Sequence, residues 1–250
     1  MVVQAARILS GLGLVTAFGH VSQRAGDSML ITPAADLAGV READLVEVGL
    51  NAAALPRGAP AEAWAHLAVY AARPDVAAIA RAQPPAGFAA AAALSGLADA
   101  ASGRPGEPVP VLPAPPTQPA VLPLLYGQAS WLGATVPVHS DARLLRSAAL
   151  ARAAAASLGS SDALLLRGNG ALTCGATAGL AAARMWLLAA ACQAWLSAAA
   201  AGPVAVLSPA ETESWRAVQS ELLPRLWAHL SASVTIPRTR SSLRQGTARG

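Results

Sequence analysis

Ala59-Pro60-Ala61-Glu62-Ala63-Trp64-Ala65-His66-Leu67-Ala68-Val69-Tyr70-Ala71-Ala72-Arg73-Pro74-Asp75-Val76 is the stretch on which the fold reading turns. Trp64, Leu67, Ala68 and Ala71 recur at intervals of three and four, which places them on one face of a helix beginning near Pro60. Arg73-Pro74-Asp75 should end it, since proline cannot donate its backbone hydrogen bond and disfavours helical geometry in the residue before it. Val76 to Ala80 then reads as a buried strand that delivers Arg81, and Pro85 to Leu97 as a second helix.

Upstream, Val3 to Ser10 reads as a helix closed by Gly11 and Gly13. Leu14 to Ser22 is a strand-like run broken by Gly19, and Met29 to Thr32 and Leu45 to Val48 are short strands. Downstream, Thr135 to Val138, Ala163 to Leu166 and Ala171 to Thr173 are strand candidates, with a helix from about Leu144 to Leu158. A long helical segment carrying Trp186 and Trp195 follows Gly179. Gly103 to Pro123 is too rich in proline for regular structure and reads as a long ordered loop, because neither flanking half is complete without the other's strands. There is no internal repeat.

Composition narrows the function classes. A chain of 250 residues that is 54% hydrophobic has ample material for one buried core. All 18 basic residues are arginine, so no lysine is present to form a Schiff base. That lysine-free, alanine-rich usage also suggests a high-GC bacterial genome. The net charge of +4 equals the four arginines Arg238, Arg240, Arg244 and Arg249. Residues 236–250 therefore read as a basic, solvated, disordered tail on a near-neutral body, and nucleic acid is not an expected partner. Cys174 and Cys192 read as buried thiols. Met185 to Ala201 is apolar but carries Gln193 and leans on alanine, so it reads as a buried core or interface helix and not a membrane span. No signal peptide is visible in the first residues, and a cytoplasmic location is the default expectation.

Four segments resemble, in order and spacing, the class II aldolase/adducin family. They are Ala17-Phe18-Gly19-His20-Val21-Ser22; Ala59 to Glu62 with His66 through Val76; Arg81-Ala82-Gln83-Pro84-Pro85; and Leu164-Leu165-Leu166-Arg167-Gly168-Asn169-Gly170. The resemblance covers roughly Val3 to Ala200. It implies an α/β fold, a single class II aldolase-like domain over residues 1–235, with a central, mainly antiparallel sheet flanked by helices.

Family aldolases hold a divalent metal with a His-x-His pair and a third histidine, beside a glutamate that works in proton transfer. Glu62 matches that glutamate. The His-x-His pair aligns with Arg81 and Gln83, and the third histidine with Asn169. Arginine does not deprotonate in a protein and amides are weak zinc ligands, so no metal or other cofactor is expected. Without the cation, Glu62 is expected to pair with Arg81. His20 stands where many family members have an asparagine that contacts the substrate's anionic group; a histidine there occurs in branches linked to decarboxylation and dehydration.

The resemblance thus implies Glu62, His20 and Arg81 as catalytic candidates, and Gln83, Asn169, Arg167 and His139 as substrate-binding candidates. Each has a plainer reading. Glu62 is also a carboxylate suited to a helix N-terminus, and His20 a structural histidine. Arg81 at the end of a buried strand needs an acid or anion unless it reaches solvent. Gln83 and Asn169 fill the volume of lost histidines, and Arg167 precedes a turn built for glycine geometry. His66 reads as a packed helix residue and His229 as a late-helix or surface one.

The function expected is a metal-independent lyase, decarboxylase or isomerase acting on a small carboxylate or carbonyl compound through an enolate-like intermediate. A catalytically silent binding or assembly protein is the rival, and a metal site rebuilt from His20, Glu62 and His139 the third reading. A homo-oligomer is expected, a homotetramer first, with the Arg81 region near an interface.

Overall fold

The apolar runs Ala78-Ile79-Ala80 and Ala163-Leu164-Leu165-Leu166 have side chains that alternate between two layers, because successive strand residues point to opposite faces of a sheet. Ala78, Ala80, Ala163 and Leu165 join one hydrophobic core; Ile79, Leu164 and Leu166 join another. Both cores exclude water, which is why these strands read as continuous apolar stretches.

The computed structural model describes residues 1–102 and 120–234. Its strands are β1 (His20–Ala25), β2 (Ser28–Ile31), β3 (Val46–Gly49), β4 (Ala78–Ala82), β5 (Val121–Leu122), β6 (Val136–His139), β7 (Ala163–Leu166) and β8 (Gly170–Gly175). They form an eight-stranded sheet in the order β3-β2-β1-β4-β8-β7-β6-β5. The β6–β7 pair is parallel. The other neighbouring pairs are antiparallel, as the family resemblance implied.

Helices α1 (Val2–Gly11), α3 (Pro85–Ser102) and α5 (Ala178–Ala201) cover one face. Helices α2 (Ala63–Ala72) and α4 (Ala148–Leu158) cover the other. The pair α6 (Pro209–Ala217) and α7 (Gln219–Ser233) packs outside α5, with Leu223 and Leu230 buried. Neither α6 nor α7 was anticipated from the sequence. Ser208 starts α6 through a capping box, its hydroxyl accepting from the Glu211 amide while the Glu211 carboxylate accepts from the Ser208 amide.

Three expectations need correction. The strand-like run from Leu14 becomes strand only at His20. The strand read as Val76 to Ala80 lies two residues later, at Ala78–Ala82, which puts Arg81 inside it. On α2 the buried face holds Ala63, His66, Leu67 and Tyr70, while Trp64 and Ala68 are half-buried and Ala71 exposed. A polar line of His66 and Tyr70 thus faces the sheet, and the apolar spacing alone misplaced the face. Of the proline-rich segment, residues 103–119 and the loop expected there lie outside the described residues, as does the tail after residue 234; Val121 and Leu122 pair with β6 as a short edge strand.

α5 is long and apolar enough to cross a membrane by length and composition, but 61% of its most apolar window is buried inside the chain. Arg184 within it donates to the carbonyls of Trp131 and Cys174 and pairs with Asp162 at 2.9 Å, which ties the helix to the sheet. Cys174 and Cys192 are free and buried, as expected.

Candidate active site

Strand register places the first two groups. His20 of β1 is the direct partner of Arg81 of β4, so both side chains leave the sheet on the α2 face. Glu62 is the N-cap residue of α2, whose first turn opens over that spot. Asn169 comes from the β7–β8 turn, flanked by Gly168 at φ 67° and Gly170 at φ 96°. A Cβ on Gly170 would collide with the Ala82 carbonyl oxygen. Glycine is therefore required for the turn to approach β4 closely enough to bring Asn169 to Arg81.

The four side chains form one network. Arg81 Nη2 lies 3.0 Å from Glu62 Oε2 and also donates to Asn169 Oδ1. Asn169 Nδ2 donates to Glu62 Oε1 at 2.7 Å, and the Leu145 amide donates to the same oxygen at 3.1 Å. His20 Nε2 stands 3.9 Å from Glu62 Oε2. The pairing of Glu62 with Arg81 expected from the sequence is present, and it satisfies an arginine that is only 2% exposed.

Burial alone would raise the Glu62 carboxyl. The imidazole of His20, the charge of Arg81, the Asn169 amide and the Leu145 N–H oppose it and hold the group down at about 2. At 3.9 Å the imidazole acts without a direct hydrogen bond, while Arg81, Asn169 and Leu145 donate to the carboxylate directly. Burial lowers His20, with Arg81 reinforcing that shift and Glu62 opposing it.

Behind His20 runs a second, fully enclosed line. His20 Nδ1 is 2.7 Å from His66 Nε2, His66 Nδ1 is 2.6 Å from Ser22 Oγ, and Ser22 Oγ is 2.8 Å from Tyr70 Oη. Burial, then competition with the adjoining His20 imidazole for a proton and the charge of Arg81, push His66 well below its ordinary value, so it is neutral. Burial raises the Tyr70 phenol, which also stays neutral. Ser22 is the hydroxyl partner of Tyr70 among the described residues, and a buried phenol is satisfied as a donor when it donates there. With Tyr70 as that donor, Ser22 donates to His66 Nδ1, His66 Nε2–H donates to His20 Nδ1, and the proton of a neutral His20 is assigned to Nε2, facing Glu62. His66, Ser22 and Tyr70 were not anticipated as site residues. Glu62, His66 and Tyr70 are spaced by four, the signal that one helix face carries all three.

His20, Glu62, Arg81 and Asn169 form the floor of a cavity of about 520 Å³, within the range of small-molecule sites, and His66, Ser22 and Tyr70 lie behind it. Gln83 and Arg146 also line it; Arg146 was not singled out from the sequence. Arg167 is exposed and its Nε donates to the Ser140 carbonyl at 2.6 Å. His139 turns toward α4, 2.9 Å from Ser157 Oγ. Neither Arg167 nor His139 is among the cavity's lining residues.

The donor set does not suit a divalent cation. Of the floor residues, Glu62 and His20 have ligating chemistry, but Glu62 is already engaged by three donors and a guanidinium occupies the adjoining position. Among the described residues no group of three or more His, Cys, Asp or Glu side chains is placed to hold a metal ion. The trio His20, Glu62 and His139 does not assemble.

None of the curated proteins compared matches this chain. Solved structures do. An L-fuculose-1-phosphate aldolase from Thermus thermophilus is 25% identical, with a TM-score of 0.65 over 82% of this chain and 96% of that one. Another L-fuculose 1-phosphate aldolase superposes with a TM-score of 0.72 at 20% identity, over 88% of this chain and 94% of its own. An aldolase II superfamily protein from Pseudomonas syringae gives 0.68 at 18% identity, over 93% and 90%. The family model for the Class II Aldolase and Adducin N-terminal domain matches residues 1–196, and the chain belongs to that family.

Proposed function

We propose that this chain is a metal-independent lyase, decarboxylase or isomerase that acts on a small carboxylate or carbonyl compound through an enolate-like intermediate. The observation that carries the reading is Arg81, 2% exposed on the cavity floor and 3.0 Å from Glu62. A fixed guanidinium in a desolvated site stabilises a developing oxyanion by directional, charged hydrogen bonds. Its contacts to Glu62 and Asn169 both use Nη2, and a guanidinium has five N–H donors in all.

The substrate's carbonyl oxygen takes donors from Arg81 and from His20 Nε2–H. A carboxylate held at about 2 is a feeble base at neutrality. Once a substrate oxygen competes for Arg81, Glu62 loses part of what holds it down and becomes a stronger base. Glu62 then removes a proton from the carbon beside the carbonyl, and the C–H electron pair moves into the enolate. Returning the proton to the same carbon exchanges it, and returning it elsewhere isomerises the compound. Loss of carbon dioxide from a β-oxo acid reaches the same enolate, which then takes a proton from water.

The test is proton NMR in deuterium oxide with pyruvate, benzylpyruvate and dihydroxyacetone phosphate. Wild type should speed deuterium incorporation beside the carbonyl of at least one of them. Arg81→Ala and Glu62→Gln should each slow it by about 100-fold while remaining folded. Undiminished exchange in both variants, or no exchange with any of the three, rejects the reading. A cytoplasmic homotetramer with the Arg81 region near a subunit boundary completes the proposal. Half-buried Trp186, Leu222 and Leu226 along an apolar groove of about 620 Å³ support the assembly part alone, because that groove lies on the α5–α7 side of the sheet, away from Arg81.

A further inference from the structure

The cavity has two unlike halves. Its floor is the charged network of Arg81, Glu62, Asn169 and His20. Its outer wall is built from Ala17, Ala34, Ala35, Pro60 and Ala61, with Phe18 67% exposed and Leu144 49% exposed at the mouth. None of these side chains carries a hydroxyl, an amide or a charge. Of its backbone N–H groups, those of Ala34 and Ala35 already donate to the carbonyls of Gly58 and Pro33 and Pro60 has none, while those of Ala17, Phe18 and Ala61 have no acceptor among the described residues; the Gln83 amide belongs to the polar part of the lining. A phosphate or a polyhydroxylated chain laid on this wall would give up water and gain no side-chain partner there, only isolated backbone N–H groups, which costs free energy. An alkyl or aryl group laid there covers exposed alanine methyls and the Phe18 ring.

Charge limits the polar end. Arg81 and Glu62 neutralise each other, and His20 is neutral. Arg146 lines the cavity and has no ion-pair partner among the described residues. One guanidinium therefore remains to balance one anionic charge.

We infer that the substrate is a monoanionic carboxylate bearing an apolar, hydroxyl-free substituent, with Arg146 anchoring the carboxylate and the alanine-lined wall receiving the substituent. This rests on the reading of the cavity as the reaction site. A 2-oxo acid carries a carboxylate and a carbonyl on adjacent carbons, the two groups that Arg146 and Arg81, both lining the cavity, would each take.

Isothermal titration with purified full-length protein tests it, using benzylpyruvate, pyruvate and phosphoglycolate as probes. Benzylpyruvate should bind at least about tenfold more tightly than either other probe. Arg146→Ala should weaken benzylpyruvate about tenfold at an unchanged Tm. Ala61→Asp, which sets a charge on the wall, should weaken it as well. Tighter binding of phosphoglycolate, no preference for the aryl group, no binding of any probe, or an indifferent Arg146→Ala variant overturns the inference. The outcomes separate from those of the exchange assay. Benzylpyruvate that binds without exchanging rejects the enolate reading alone, while rapid exchange of dihydroxyacetone phosphate with weak benzylpyruvate binding rejects the substrate class alone.

Discussion

His20 Nδ1 lies 2.7 Å from His66 Nε2, so the two imidazoles share one proton and the tautomer of His66 sets that of His20. With the neutral Tyr70 phenol assigned as donor to Ser22, 2.8 Å away, protons point one way along the line, toward His20. Nitrogen NMR of labelled protein should show His20 protonated at Nε2 near neutrality. His66→Phe should abolish that single tautomer and reduce kcat on the order of 100-fold with KM little changed. An unaltered His20 signal in His66→Phe contradicts the relay.

Stability should fall on the acid side in two stages. His20 and His66 have folded values below 6.5. Below that pH the unfolded chain binds more protons than the folded one, and stability rises with pH. Glu62 is depressed from 4.5 to about 2; its contribution is complete above the unfolded value and is lost as pH falls through the folded one. Thermal melts from about pH 7 down to about pH 3 should therefore show a decline beginning near 6.5 and steepening below 4.5. His66→Gln should flatten the upper part and Glu62→Gln the lower. A Tm constant between about pH 7 and about pH 5 would contradict the assignment of neutral buried imidazoles.

Arg81 and Glu62 are 3% and 13% exposed in their side chains, so removing one partner strands the other. Arg81→Met alone should cost about 3 kcal/mol. Arg81→Met with Glu62→Gln should cost clearly less than the sum of the two single changes, since no charge is left uncompensated. Additive losses in denaturant melts would show that the pair is not coupled.

Assembly is tested by light scattering at micromolar concentration. A mass near four chains of 25.0 kDa is expected, and Leu226→Arg in the apolar groove should shift it downward. A monomer of the unaltered chain contradicts the tetramer and with it the placement of Arg81 near a boundary, whereas the Leu226→Arg variant tests the groove alone.

The layers were legible in the sequence because chain order and strand patterning were strong. The strand Ala163 to Leu166 falls where it was read, and the helices from Pro85 and near Gly179 are present. Glycine punctuation around Asn169 likewise marked the turn. The α2 face was misread because alanine contributes almost no contrast to an apolar periodicity; the buried side is set by hydrogen bonds of His66 and Tyr70. Helices α6 and α7 were missed although Ser208 and Glu211 carry a capping box, since the segment between them and α5 has weak apolar contrast. In the site, Glu62, His20, Arg81, Gln83 and Asn169 come together around one cavity. Arg146 escaped notice because nothing local distinguishes a loop arginine until the chain folds it over the floor.

If Arg81 does the work of a metal ion, the reaction must survive removal of metal. Deuterium exchange of benzylpyruvate should be measured with protein incubated with excess EDTA and then desalted, and again after adding zinc or manganese. Full exchange activity after EDTA, unchanged by either ion and reduced about 100-fold in Arg81→Ala, is the predicted result. Activity that EDTA removes and one of the ions restores would contradict the account.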